Sequence, residues 1–324
     1  MSRPRAATIR DVATLAGVSV GTASKALNGR GSLRAETVAR VRQAAEQLDF
    51  RPNQAARSLH TDRTYTVGMI TTDTIGRFSI PLLIGAEDIL GAGQVSVLLC
   101  DARDDPIRER HHLRVLLSRR VDGIIVTGRR TGTRPPIGTG LPVPVVYAFL
   151  ASTDPADCSV IPDEPGGIRL VVEHLRATGR TRLVHVTGPE HHHSARVRAA
   201  EAGVETLYGE WSEAWGRRAA GLLLARGPAF DAVICGNDQI ARGLAETLRE
   251  SGRDVPGDVA VTGFDNWDVI AEASRPPLTS VDMDLEGLGR AAAGLLLSAI
   301  DGEPSPGAHP HPPRLIIRDS TVRP

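Results

Sequence analysis

The sequence predicts an N-terminal all-α helix-turn-helix domain followed by a larger α/β domain of two Rossmann-like lobes. Three observations predict it. The stretch Thr8 to Leu27 reads as two short helices around a glycine turn. Basic residues crowd at the start: before Asp62, Arg3, Arg5, Arg10, Lys25, Arg30, Arg34, Arg40, Arg42, Arg51 and Arg57 face only Asp11, Glu36, Glu46 and Asp49, although the whole chain has 38 basic and 38 acidic side chains. From Thr66 onward apolar runs alternate with amphipathic stretches, and there are too many runs for one comfortable sheet.

In chain order, Thr8 can cap a first helix, with Asp11 three residues on completing a capping-box-like pair. Val12, Ala13 and Ala16 share one small apolar face, and Gly17 supplies the positive φ of the turn. Val18 packs inward, Ser19 caps a second helix, and Asn28-Gly29 stops it after Leu27. Ala23, Ala26 and Leu27 form its buried side, so Val20, Gly21, Thr22, Ser24 and Lys25 face outward. In a helix-turn-helix the N-terminal end of that second helix meets base edges in the major groove. Lys25 is the only lysine of the chain.

The stretch TIRDVATLAGVSVGTASKALNG closely resembles the N-terminal signature of the LacI/GalR family of bacterial transcription regulators. The resemblance implies a DNA-facing set of Thr8, Ser19, Val20, Gly21, Thr22, Ser24, Lys25 and Asn28. The segment 32–50 is predicted to form a third helix, with Val38, Val41, Ala45 and Leu48 at helical spacing closing a small core. The domain is placed at 1–51. At 52–64 Pro52 interrupts and Asn53 can cap only a turn or two of helix, too short to be stable alone in water. The resemblance makes this the hinge helix, in which Leu59 wedges into the minor groove and Ala56 lies at the helix–helix contact of two copies. The alternative is a plain linker with an incidental leucine.

Residues 65–324 form the predicted effector domain. TVGMITT, VSVLLC, GIIVTG and VPVVYAF read as buried parallel strands, with Leu82–Leu90 and Ile107–Leu117 as intervening helices. Past Cys158 the series continues: helix Gly167–Ala177, strand LVHVTG, helix around Glu213–Ala225, strand AVICG, helix Ile240–Glu250 and strand VAVTGF. Repeated βαβ units imply parallel sheets covered on both faces. The resemblance extends through RPPLTSVDMDLEGLGRAAAGLLLSAIDG and LIIRDST to essentially the whole chain, and implies a fold like the periplasmic sugar-binding proteins.

Ligands of open α/β sheets sit beyond the C-terminal strand ends. Asp73, Thr127, Asn237 with Asp238, and Asp265 with Asn266 fall there. The motifs GND and GFDN are close to the family's pattern, in which the matching Asn and Asp hydrogen-bond the effector; Asn237 equally fits a helix cap. SARVR resembles the segment whose arginine reaches the effector, which is Arg198 here, and its alternative is an ordinary surface arginine. Phe78 and Trp211 are candidate platforms for a ring, and Tyr147 ends a strand near the same cleft. Two departures stand out. The chain between Val204 and Trp211 is shorter than the family's. His191-His192-His193 replaces varied loop residues; adjacent histidines point apart, so a polar, pH-responsive loop fits better than a metal site.

These readings favour a ligand-controlled transcription regulator, a repressor, binding double-stranded operator DNA as a homodimer, with no cofactor and no resident metal. The expected effector is a sugar or sugar derivative, with a purine or nucleoside as the alternative. A solute-binding protein without regulatory role fits only the larger domain. An enzyme is disfavoured, since no G-x-G-x-x-G, P-loop or nucleophile-elbow pattern follows a strand. No apolar run is long enough to span a bilayer and no leader segment opens the sequence, so a cytoplasmic protein without membrane partner is expected. Cys100, Cys158 and Cys235 lack metal spacing and read as reduced thiols.

Overall fold

The computed structural model describes residues 7–27, 32–50, 63–227 and 230–322. Two compact units divide at Thr64 and Tyr65.

In the first unit, helices α1 (Ile9–Leu15), α2 (Val20–Leu27) and α3 (Ala35–Gln47) pack around Val12, Ala13, Ala16, Ala23, Ala26, Val41, Ala44 and Ala45. The fully buried side chains of this cluster are Ala and Val, which lets short helices approach closely, and Ile9, Leu27, Leu33, Leu48 and Phe50 pack against them partly buried. Both ends of α1 are closed by local bonds. Thr8 N donates to Asp11 Oδ2 at 2.7 Å while Thr8 Oγ1 accepts from Asp11 N, the reciprocal capping box. Gly17 takes φ +63, which lets Val18 N reach Ala13 O at 3.0 Å and Gly17 N reach Thr14 O, a Schellman closure. Ser19 Oγ then accepts from Thr22 N at 3.0 Å and starts α2.

The second unit holds two six-stranded sheets. The N-terminal lobe has β1 (Thr66–Thr71), α4 (Ser79–Ala92), β2 (Ser96–Asp101), α5 (Pro106–Ser118), β3 (Gly123–Val126), β4 (Thr133–Arg134), β5 (Val145–Ala148), β6 (Ala151–Ser152) and β7 (Cys158–Pro162). The C-terminal lobe has α6 (Glu164–Ala177), β8 (Leu183–Thr187), α7 (His193–Ala202), β9 (Thr206–Tyr208), α8 (Glu213–Ala225), β10 (Ala232–Cys235), α9 (Asp238–Glu250), β11 (Ala260–Phe264), α10 (Asp268–Ala271) and β12 (Thr279–Asp282). The chain returns to the first lobe through α11 (Leu285–Ile300) and β13 (Gly307–His311), then ends in the second with β14 (Arg314–Ile316). Sheet orders are β13-β7-β5-β3-β1-β2 and β14-β12-β11-β10-β8-β9, and β4 pairs with β6 alone.

Pairing is parallel throughout except between β12 and β14, where the short return from β13 brings the chain in antiparallel at the sheet edge. The trimmed region after Val204 retains β9, a three-residue edge strand on β8.

Each lobe is clamped by one helix pair crossing at glycines. A Cβ on Gly85 would sit 1.9 Å from Glu286 O and one on Gly289 2.1 Å from Leu82 O, so α4 and α11 touch backbone to backbone. In the other lobe α8 and α9 do the same at Gly216 and Gly243, each 2.1 Å from a facing carbonyl. No helix among the described residues is long and apolar enough to cross a membrane.

Candidate functional sites: a DNA-reading helix and an interlobe cleft

On α2 the apolar side faces the three-helix core and the opposite side is open: Val20, Gly21 and Lys25 are exposed. Ser19 and Thr22 are tied to each other, Oγ to Oγ1 at 2.9 Å, fixing the first turn that would lead into a groove. Thr8 is engaged in its capping box. Ser24 lies half-buried on the same helix. Asn28, Ala56 and Leu59, and with them nearly all of the predicted hinge, lie outside the described residues.

The second site lies where strand ends of the two lobes face each other. Its centre is Arg198 on α7, 4% exposed. Arg198 Nε and Nη2 donate to Glu164 Oε1 at 2.8 and 2.6 Å, and Nη1 donates to Gly236 O. The guanidinium lies 3.6 Å from the Phe264 ring centroid and 5.8 Å from that of Trp211, so flat apolar faces support a buried cation. Asp265 Oδ1 is 3.8 Å from Arg198 Nη2, and Asp265 Oδ2 accepts from Arg77 of the opposite lobe. Burial pushes the Asp265 carboxyl up, against the pull of Arg77 and Arg198. Asp238, which is fully buried, is pushed up to about 7 by burial and then by the charge of Asp265. It accepts from Trp267 N and Ser280 Oγ at 2.6 and 2.5 Å and so fixes the turn that carries Asp265.

That turn is strained. Asp265 and Asn266 have φ of +95 and +47, and Phe149, at the end of β5, has +75. Such conformations in non-glycine residues cost about 1–3 kcal/mol each and gather at sites that need a side chain aimed in one direction. Phe149 stacks on Phe78 at 4.9 Å. The hydroxyls of Thr127 and Thr187, at the ends of β3 and β8, are buried and have no hydrogen-bond partner among the described residues.

The sequence candidates therefore separate. Arg198, Asp265, Phe78 and Trp211 border the cleft. Asp73 stands at its edge but spends Oδ2 on Phe78 N and Ser79 N, at 2.7 and 3.0 Å, capping α4. Asn237 caps α9 by accepting from Ile240 N at 2.8 Å. Tyr147 is not brought to the cluster. It lies in the outer core of its lobe with Leu113 and Leu116, where its phenol is satisfied by the Ile137 amide at 2.8 Å. Trp211 Nε1 donates to His192 Nδ1 at 2.7 Å. Burial, with Arg130, His191 and Arg129 nearby, lowers the His192 imidazole below its ordinary range. Two residues escaped sequence reading. Glu164 follows the helix-capping Asp163, and Arg77 sits in the loop after β1. The available signal for Glu164 was an acid at a strand end, in the crossover from β7 to α6.

Residues 8–53 match the bacterial regulatory proteins of the lacI family, and residues 172–321 match the periplasmic binding protein-like domain. The HTH-type transcriptional regulator CelR of Thermobifida fusca is 33% identical over 98% of this chain and 97% of its own. The chain belongs to the LacI family. Two solved structures resemble this LacI-family regulator over nearly all of its chain. The Lac repressor dimer bound to operator and an anti-inducer superposes with TM-score 0.77 at 26% identity, covering 98% of this chain and all of that one. A CelR–cellobiose complex superposes with TM-score 0.65 at 29% identity, again over 98% of this chain. As a family member the protein is a sequence-specific DNA-binding regulator of transcription whose larger domain has the effector-binding fold.

Proposed function

We propose that the protein is a cytoplasmic repressor that binds a near-palindromic operator as a homodimer and changes its operator affinity when a sugar or sugar derivative enters the interlobe cleft. It carries out no catalysis. The observation that carries the effector reading is the buried cluster of Arg198, Glu164 and Asp265, which the N-terminal lobe reaches through Arg77 on Asp265 and Thr131 on Glu164. Carboxylates and guanidinium edges beside aromatic faces suit hydroxyl-bearing rings. The cellobiose complex of CelR supports the same chemical class.

Two-fold pairing is supported by an exposed apolar stripe: Ile80 and Ile84 lie one turn apart on α4, 43% and 46% exposed, and Leu99 is exposed on β2. A two-fold dimer of helix-turn-helix units maps onto two half-sites about one helical turn apart. The test is selection from a random duplex pool with the full-length protein. It should return an inverted repeat. Binding without sequence preference, or to a single half-site by monomer, overturns the reading. A thermal-shift screen with sugars, sugar phosphates, nucleosides and purines then identifies the effector, and a purine hit alone would replace the sugar assignment.

A further inference from the structure

From the N-terminal lobe, Arg77 reaches across to the opposite lobe. Arg77 donates to Asp265 Oδ2 and, at 3.4 Å, to Gln239 Oε1, both on the opposite lobe. Its guanidinium carbon lies 4.9 Å from the Phe78 ring centroid and 4.5 Å from that of Trp267. The side chain is only 13% exposed, and Nε is buried with no hydrogen-bond partner among the described residues. A flat group with its faces on aromatic rings and its donors on a carboxylate and an amide is held as a hydroxylated ring would be held.

We propose that Arg77 is a tethered ligand of the cleft. It stands in the effector's place on Asp265 and Gln239, holds the lobes together without effector, and is displaced by an effector that brings its own donors to that edge. The proposal rests on the reading of the cleft as the effector site.

Displacement is physically accessible. Asp265 keeps Arg198 at 3.8 Å, so it is not left buried without a counter-charge. The released Arg77 regains its hydration, and the aromatic faces pass to the incoming ring. The two groups that Arg77 satisfies are both acceptors, so its replacement must donate twice. Vicinal hydroxyls of a polyol do this. An anion offers Asp265 only lone pairs and a like charge. The effector's apparent affinity is reduced by whatever Arg77 already gains there, so Arg77 sets the threshold concentration for response.

Hydrogen exchange on full-length protein tests the proposal without knowing the effector. Phe78 N and Ser79 N report one wall, through their bonds to Asp73, and Trp267 N reports the other, through Asp238. In Arg77→Ala, peptides covering both walls should exchange about tenfold faster than in wild type. Ethylguanidinium chloride at millimolar concentration should restore that protection and raise Tm saturably in Arg77→Ala. It should do neither in wild type nor in Arg77→Ala/Asp265→Asn, and sodium acetate should not replace it. Arg77→Gln, which keeps most of the stem, should show the same faster exchange and guards against a folding defect. Unchanged exchange, faster exchange on the Arg77 wall alone, or an equal ethylguanidinium effect on wild type each overturns the proposal. Operator affinity of Arg77→Ala with and without ethylguanidinium separates the two claims. If the cleft responds and DNA binding does not, the tethered ligand stands and the cleft is not the control site.

Discussion

Glu164 and Arg198 form a buried ion pair in which one carboxylate oxygen takes two guanidinium donors, at 2.6 and 2.8 Å, with the residues 3% and 4% exposed. The pair joins the first turn of α6 to α7. Glu164 Oε2 reaches across to Thr131 Oγ1 at 2.9 Å, so the same acid ties the two lobes.

Removing one partner of a buried pair leaves the other charge without its main counter-ion. Glu164→Ala should therefore lower the stability of the larger domain by about 3–5 kcal/mol, read from urea unfolding of the full chain. A loss under about 1 kcal/mol would mean that Gly236 O and Asp265 alone suffice for Arg198.

On α2, the helix proposed to read DNA, Lys25→Ala should weaken cognate operator binding by about 1–3 kcal/mol and relax sequence preference. Fluorescence anisotropy on cognate and random duplexes checks this. An equal loss on both duplexes would place Lys25 on phosphate only. Gly21 offers no side chain, so fewer bases are read directly from this helix than a bulkier residue would permit.

For the cleft, Asp265→Asn should abolish the Tm rise produced by whichever compound the thermal-shift screen selects. The amide keeps the shape but replaces one acceptor by a donor, which a hydroxyl pair tolerates poorly. A retained Tm rise would move the effector away from Asp265.

Acid sensitivity follows from His185, which burial and then Arg198 hold down to about 3 from an ordinary 6.5. A group whose folded pKa is depressed loses its contribution as pH falls below the unfolded value. Stability should decline between about pH 6.5 and 3, by up to about 1.4 kcal/mol per pH unit. Tm measured against pH should be less steep over that window in His185→Val. Parallel curves would assign the acid limb to the carboxylates.

The fold was legible because its signals are local and repeated. Thr8 with Asp11, Gly17, and Ser19 each specify a bond within a few residues, and the structure forms all of them. Strands such as Leu183–Thr187 and Ala260–Phe264 are buried at every position because both faces are covered, so they read as largely apolar runs without in-out alternation. The cleft was legible only in part. Strand ends could be located, but a strand end does not reveal whether its polar residue turns toward a ligand or back to a helix terminus. Asp73 and Asn237 turn back as caps, while Asp265 turns inward on a left-handed backbone. Arg77 was hidden for another reason. Its partners Asp265 and Gln239 lie more than 160 residues away in sequence, and no periodicity links them.

Lys25, exposed on α2, is the sole lysine of the chain, every other basic side chain of that kind being arginine. The protein thus presents a single ε-amine, and it lies on the surface proposed to meet DNA. Acylation, reductive alkylation or an amine-directed cross-linker can act, apart from the α-amine of the chain, only there. The extent of labelling at this one atom becomes a direct count of molecules whose reading surface is uncovered, and any lysine-directed modification enzyme would address DNA occupancy without touching the effector domain.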